Sequence, residues 1–194
     1  SQLIFSLSLV AQSIGAGYER SKEEGDARTS RLIDIASLAQ REMKALLFEL
    51  RGPPEDKDSL AAYARADGLA KALARHCSLT ANEYATVTID VDDERLDPDQ
   101  AEALLRIAQE ALANAIRHGK ADNIFISLSY HETELIFRIL DDGRGMPEAQ
   151  AGTTASTQIG LPSMRARAAR LGGDLHILNP TPQGFGVEVR LPLA

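Results

Sequence analysis

Apolar residues recur at helical spacing from the start of the chain. Leu3, Leu7, Val10, Ile14 and Gly17 stand four, three, four and three apart, the seam of a heptad pattern. Glu19 to Asp26 is polar and contains Gly25, which predicts a turn. A second stripe, Leu32, Ile35, Ala39, Met43, Leu46 and Leu50, stops at Arg51-Gly52-Pro53-Pro54. Two helices on a short polar turn make an antiparallel hairpin. A hairpin alone has too little core to stand. Its stripe needs a cover, either a second copy in a four-helix bundle or the C-terminal part of the same chain.

The pattern changes after the Pro-Pro break. Residues 58–77 read as one helix with Leu60, Tyr63, Leu69 and Leu73 among many Ala. Thr86 to Val91 alternates polar and apolar, as a half-buried strand does. Asp97-Pro98 opens a helix over 98–118, with a capping residue followed by Pro at the first position. Ile124 to Tyr130 and Leu135 to Leu140 read as strands joined by a turn at His131. Residues 141–159 carry no periodicity, 161–171 read as a short basic helix, and strands follow at about 174–179 and 185–191. Strand hairpins with helices on one face give an α+β sandwich. No internal repeat interrupts this order.

Composition narrows the class. The chain has 194 residues, 44% hydrophobic and 25% charged, with a formal net charge of -7. That is ordinary for a folded globular chain and disfavours direct nucleic-acid binding, which wants a basic face. No apolar run is long enough to span a bilayer, so no membrane contact is expected of this segment. The single cysteine, Cys77, rules out an intrachain disulfide and fits a reducing compartment. The start, inside an apolar run without Met, reads as the middle of a longer protein.

Three strings carry candidate chemistry. On the helix 98–118, Glu110, Asn114, Arg117 and His118 fall at i, i+4, i+7 and i+8, one face of an α-helix. Oxygen from Asn or Glu suits Mg²⁺, which shares its shell with water and phosphates. The plainer reading is a solvated helix face. Asp141-Asp142-Gly143-Arg144-Gly145 follows a strand. Its glycines let a ligand approach the main chain, and an inward Asp141 would need donors, such as the exocyclic amine of adenine. The plainer reading is a turn. Gly160-Leu161-Pro162 opens a helix whose free N–H groups suit a phosphate. Arg165 and Arg167 add positive charge nearby, and residues 146–159 have the composition of a lid. The plainer reading is a good helix start.

In this order, EALANAIRHG, DDGRG, GLPSMRARA and the closing GFGVEVRLP resemble the ATP-binding domain of bacterial sensor histidine kinases, within the wider GHKL family of gyrase, Hsp90-type chaperones and mismatch-repair ATPases. The resemblance covers about residues 58–192. GLPSMRARAARLGGDLHI and LLRIAQEALANAIRHG look most like the branch that signals to response regulators with LuxR-type outputs. It implies a dimerisation and phosphotransfer hairpin over 1–52 and a catalytic ATP-binding domain over 53–194. The expected fold is thus α+β: a dimeric four-helix bundle followed by an α/β sandwich.

The resemblance also implies roles. Asn114 would hold Mg²⁺, and Glu110 would organise water or polarise the nucleophile. Arg117 and His118 would lie near the phosphates of ATP. Asp141 would read adenine, with Gly143 and Gly145 shaping the pocket, and Gly160 and Leu161 would offer backbone N–H groups to phosphate. Gln2 would match the residue that positions water for dephosphorylation, at the end of an H-D-x-x-x-Q box. The phosphoacceptor His of that box would lie upstream of Ser1, and none of His76, His118, His131 or His176 falls in the hairpin. The expected function is ATP-dependent histidine kinase chemistry, with a homodimer through 1–52 and a response-regulator receiver domain as partners, in the cytoplasm, and without self-phosphorylation by this segment. Two departures stand out. Gln158-Ile159 replaces a Gly-containing doublet before Gly160, and Phe185 stands where the family often has Thr, on the floor of the adenine pocket. Rival readings are an ATP-driven conformational clamp, a Ser/Thr kinase of the anti-sigma type, and a degenerate nucleotide domain serving as a dimer scaffold. The heptad hairpin favours the kinase, and the intact Glu110, Asn114, Asp141 and Gly160 disfavour the scaffold.

Overall fold

The computed structural model describes residues 2–51, 57–145, 160–179 and 183–193. The chain divides into two compact units, Ser1–Leu47 and Phe48–Ala194.

The first unit is built from α1 (Gln2–Arg20) and α2 (Lys22–Arg51). The expected turn over 19–26 shrinks to Ser21 alone. Glu, Lys and Arg are good helix formers, and the Ser21 Oγ accepts the Glu24 N–H at 3.1 Å, capping α2. Gly25 therefore lies inside α2, against the Tyr18 ring. The chain doubles back through named side-chain bonds. Tyr18 OH donates to Asp26 Oδ1 at 2.8 Å. Arg28 donates to the Ser13 carbonyl at 2.5 Å and to Glu24 at 2.5 Å. Leu7, Val10, Ile14, Leu32, Ile35 and Ala39 are half-buried along the facing stripe. Met43 and Leu46, expected on that stripe, are exposed, as are Phe5, Leu9, Ile33 and Leu47. The hairpin thus carries a second apolar surface that its own two helices leave open.

The second unit is a five-stranded sheet with helices on one face. Its elements are α3 (Lys57–Asp67), α4 (Leu69–Thr80), β1 (Thr86–Val91), α5 (Pro98–Asn114), β2 (Asn123–Tyr130), β3 (Glu134–Asp141), α6 (Leu161–Arg170), β4 (Asp174–Leu178) and β5 (Gly186–Pro192). The strand order is β1-β2-β3-β5-β4. β1 runs parallel to β2, and the other pairs are antiparallel. Alternation along the strands sends Ile124, Ile126, Leu128, Leu135, Phe137, Ile139, Val187, Val189 and Leu191 inward. They meet Leu69 and Leu73 of α4, Leu104, Ile107 and Leu112 of α5, and Met164 of α6 in one core.

Two helix predictions need correction. The helix expected over 58–77 is two helices, broken at Gly68, whose φ is 95°. Asp93 Oδ2 there accepts the Ala70 N–H at 2.7 Å and occupies the space a Cβ at 68 would need, so residues with a side chain cannot continue the helix. The helix expected over 98–118 ends as an α-helix at Asn114 and continues as a π-helical turn over Ala115–Gly119. Cys77 is buried, and desolvation pushes its thiol up to about 12, which leaves it unreactive.

The open face of the sheet carries a charged ladder. Glu188 is only 3% exposed. Its carboxylate accepts Arg138 Nε at 2.5 Å and Arg190 Nε at 2.7 Å. Burial pushes the Glu188 pKa up, but the two arginines outweigh it and hold the carboxyl below its ordinary value. The stability this group contributes is therefore present above its unfolded pKa and lost as pH falls through the folded one. Glu188→Gln should cost about 1–2 kcal/mol at pH 7, the low end for charged hydrogen bonds because both arginines are solvent-screened. Urea unfolding at neutral and acid pH checks this, and the gap should narrow in acid.

Candidate functional site

The site is built around the C-terminal half of α5. That helix starts where the sequence says it should. Asp97 accepts the N–H groups of Asp99 and Gln100 at 2.9 and 2.8 Å, and the Gln100 side chain accepts the Asp97 N–H at 3.2 Å, a capping box. Its buried face, Leu104, Leu105, Ile107, Ala108, Ala111 and Leu112, leaves Glu110 and Asn114 half-buried on another side, one turn apart. Glu110 lies against the α6 entrance. A Cβ built on Gly160 would collide with the Glu110 carboxylate, and Gly160 itself has a φ of 104°. Absence of a side chain at 160 thus lets both the backbone turn and the carboxylate occupy one place. Leu161 begins α6 and is buried, and no side chain caps that helix.

The π-turn changes the position of the next two candidates. The Ala121 N–H reaches the Ala115 carbonyl at 3.1 Å, and Lys120 leaves the turn in the left-handed region with a φ of 55°. Arg117 and His118 are exposed on this widened turn. A π-turn takes more residues per turn than an α-helix, so strict i+7 and i+8 spacing from Glu110 no longer sets their direction. The turn carries Gly119 onto the loop after β3. The Gly119 carbonyl accepts the Arg144 N–H at 2.8 Å. A Cβ on Gly143 would stand 2.5 Å from that same carbonyl oxygen, so only glycine permits the approach.

Asp141 ends β3 and points to the core side of the sheet, 8% exposed. Its Oδ1 accepts the Gly143 N–H at 2.8 Å and the Phe185 N–H at 3.3 Å. Among the described residues its Oδ2 carries no hydrogen bond. Burial pushes the Asp141 carboxyl above its ordinary value, against the lowering effect of those two N–H groups, and neighbouring Asp142 pushes it further up. The Asp141 Oδ2 is not a buried orphan, Tyr130 Oη being the only such atom among the described residues, so it is open to solvent and free to accept another hydrogen bond. Gly145, at a φ of 71°, passes close to the Gly184 carbonyl.

Two junctions therefore form on α5 and the turn that follows it: Glu110 meets Gly160, and Gly119 meets Asp141 and Gly143. Glu110 and Gly119 are nine helical steps apart, roughly 13 Å at 1.5 Å per step. Three residues inside the quoted strings contribute in ways that spacing does not show. Gly119 supplies the close approach, Phe185 supplies a backbone N–H rather than its side chain, and Asp142 ties the loop to β2. Gly119 precedes the left-handed Lys120, a local signal; the other two are contacts across the sheet, with no sequence signature. The Phe185 side chain is half-buried against the core. The Gln2 side chain and the lid segment 146–159, with Gln158 and Ile159, lie outside the described residues.

The donor set suits a nucleotide with a magnesium ion. Among the described residues no group of three His, Cys, Asp or Glu could hold a metal. An Asn oxygen and a nearby carboxylate fit a cation that arrives with phosphates and keeps water in its shell. The unpaired Asp141 oxygen fits an amine donor.

Comparison with known proteins agrees with this geometry. Residues 99–194 match the family described as Histidine kinase-, DNA gyrase B-, and HSP90-like ATPase. The chain is 26% identical over 193 residues to the Sensor histidine kinase LiaS of Bacillus subtilis, covering 100% of this chain and 51% of that protein. It is 29% identical over 193 residues to the Sensor protein VraS of Staphylococcus saprophyticus, covering 100% of this chain and 52% of the relative. The chain spans about half the length of the curated relatives it matches. Its fold is similar to the histidine kinase domain of the Erythrobacter litoralis EL346 blue-light activated histidine kinase, with a TM-score of 0.52 at 19% identity over 97% of this chain and 94% of that one. Among the described residues no helix is long and apolar enough to cross a membrane. Sheet order, the Glu110–Gly160 junction and the sequence match point the same way: residues 99–194 are similar to the histidine kinase-, DNA gyrase B- and HSP90-like ATPase family, and the chain as a whole is similar to sensor histidine kinases.

Proposed function

We propose that this chain is the core of a two-component sensor kinase, of the branch that signals to LuxR-type regulators. In this reading Asp141 accepts a hydrogen bond from the exocyclic amine of adenine through its open Oδ2. Guanine presents an oxygen there and is repelled. Asn114 would hold the magnesium ion, and Glu110 would organise water or polarise the nucleophile through its carboxylate. Gly160 and Leu161 offer backbone N–H groups at the positive end of α6. Arg117 and His118 stand by the phosphates. Magnesium, when bound, neutralises the charge that develops on the transferred phosphoryl group. The longer protein would pass that group to a hairpin histidine and then to an aspartate of a regulator's receiver domain, and Gln2 would position water for dephosphorylation. The hairpin would pair with a second copy, covering the exposed Phe5, Leu9, Ile33, Met43, Leu46 and Leu47 in a four-helix bundle.

The observation that carries the reading is the Asp141 carboxylate with one oxygen committed and one open, packed against Gly119 at the end of the same helix that carries Glu110. Equilibrium dialysis with labelled MgATP, followed by acid- and base-stability analysis of any protein-bound phosphate, tests it. Saturable ATP binding without label on His76, His118, His131 or His176 is expected. Failure to bind ATP, or phosphate on one of those histidines, would overturn it.

A further inference from the structure

Asp142 has no role in the proposed nucleotide chemistry, yet its carboxylate is fully engaged. Its Oδ1 accepts the backbone N–H groups of Asp122 and Asn123, both at 2.9 Å. Its Oδ2 accepts the Asn123 side-chain amide at 2.7 Å, and its own N–H donates to the Asn123 carbonyl at 3.2 Å. The four bonds fasten the loop after β3 to the first residues of β2. Asp141 sits one residue before this clamp and Gly143 one residue after it. Both residues that define the open Asp141 oxygen therefore hang from it.

We propose that Asp142 is a positioning residue for adenine recognition, holding the Asp141 carboxylate in register through its clamp on Asn123. The proposal rests on the reading of Asp141 as the adenine acceptor. The clamp acts on the purine end alone, since Glu110, Asn114 and Gly160 belong to other elements. Polarity sets the test. Asp142→Asn replaces the charged acceptor of the clamp with a neutral amide, which holds the two backbone N–H groups more weakly and reaches the Asn123 side chain only if that amide turns over. Asn123→Asp sets carboxylate against carboxylate. The pair made together restores one donor and one acceptor with the polarity reversed, and the remaining oxygen at 142 still accepts the two backbone N–H groups.

The readout is the affinity for ATP relative to purine riboside triphosphate, which lacks the exocyclic amine, each with magnesium. The parent should prefer ATP by about tenfold, the worth of one charge-assisted hydrogen bond. Asp142→Asn and Asp142→Ala should reduce that preference to less than about threefold, with affinity for purine riboside triphosphate moving less than about twofold. The double variant should regain the parent preference. Single variants that keep the preference, or that lose both ligands alike, would refute the clamp while leaving the adenine reading intact. A parent chain without any preference for the amine would instead sink the adenine reading itself.

Discussion

Asp141→Asn is expected to weaken ATP binding by about 10- to 100-fold without lowering the unfolding temperature at pH 7. Both halves follow from one geometry. The remaining side-chain oxygen would still accept the Gly143 and Phe185 N–H groups, so the loop keeps its shape. The new amide nitrogen would then replace the open Oδ2 and face the adenine amine, donor against donor. Losing a charged hydrogen bond and leaving a donor unsatisfied costs about 1.5–3 kcal/mol, or one to two decades of affinity. Stability moves the other way. Burial raises the Asp141 pKa, so its ionised form is disfavoured in the fold. The stability this group offers is complete below its unfolded pKa and lost as pH rises through the raised folded value. At neutral pH a neutral side chain removes that penalty. Calorimetric titration and thermal melts of the same variant check the pair of outcomes. In the parent, ATP affinity should fall in acid at a higher pH than an ordinary aspartate would dictate, because a protonated Asp141 no longer offers a charged acceptor.

Gly143→Ala should be strongly damaging to the nucleotide site. The added Cβ would meet the carbonyl oxygen, carbonyl carbon and Cα of Gly119 at 2.5, 2.7 and 2.8 Å. All three are backbone atoms, so no side chain can rotate out of the way. Overpacking of this kind costs about 1–3 kcal/mol. The functional cost is larger, because relief requires moving either the Asp141 loop or the π-turn that carries Arg117 and His118. ATP binding should fall by more than about 100-fold, a loss of some 2.7 kcal/mol. Gly15→Ala is the matching control. Gly15 lies inside α1 with no heavy atom within 4 Å of its added Cβ, so the same substitution should stabilise by about 0.5–1 kcal/mol. Urea unfolding and nucleotide titration of the two variants separate crowding from a general effect of replacing glycine.

Much of this architecture is legible in the sequence, for local reasons. β2 alternates cleanly because one face of the sheet packs on helices and the other does not, and β3 departs from that pattern at Ile136, which is buried on the other face. Asp97-Pro98 marks the start of α5 because capping chemistry is complete within four residues. The order of Glu110, Asn114, Asp141, Gly143 and Gly160 along the chain identifies the segments that converge. Long-range contacts are what the pattern cannot carry. Gly68 breaks a helix because Asp93, 25 residues later, fills the space beside it. The π-turn forms where Gly119 must reach Gly143, and that need is invisible in the run Ala115 to Gly119. Met43 and Leu46 share a stripe with Leu32, Ile35 and Ala39, but the hairpin's own α1 covers only part of it. Asp142 and Phe185 act through partners on other strands, Asn123 in one case and the Asp141 carboxylate in the other.

The central claim is that three stretches distant in sequence form one pocket for a magnesium-bound adenine nucleotide. Backbone NMR of the isotope-labelled chain, titrated with MgATP, tests it most directly. Saturable shift changes should concentrate at Glu110 to Gly119, Asp141 to Gly145 and Gly160 to Leu161, and the amide signals of Gly143 and Phe185 should respond together. Shifts that fail to saturate, or that gather instead at the cleft lined by Arg65, Asp97 and Arg170 beside the start of α5, would contradict it.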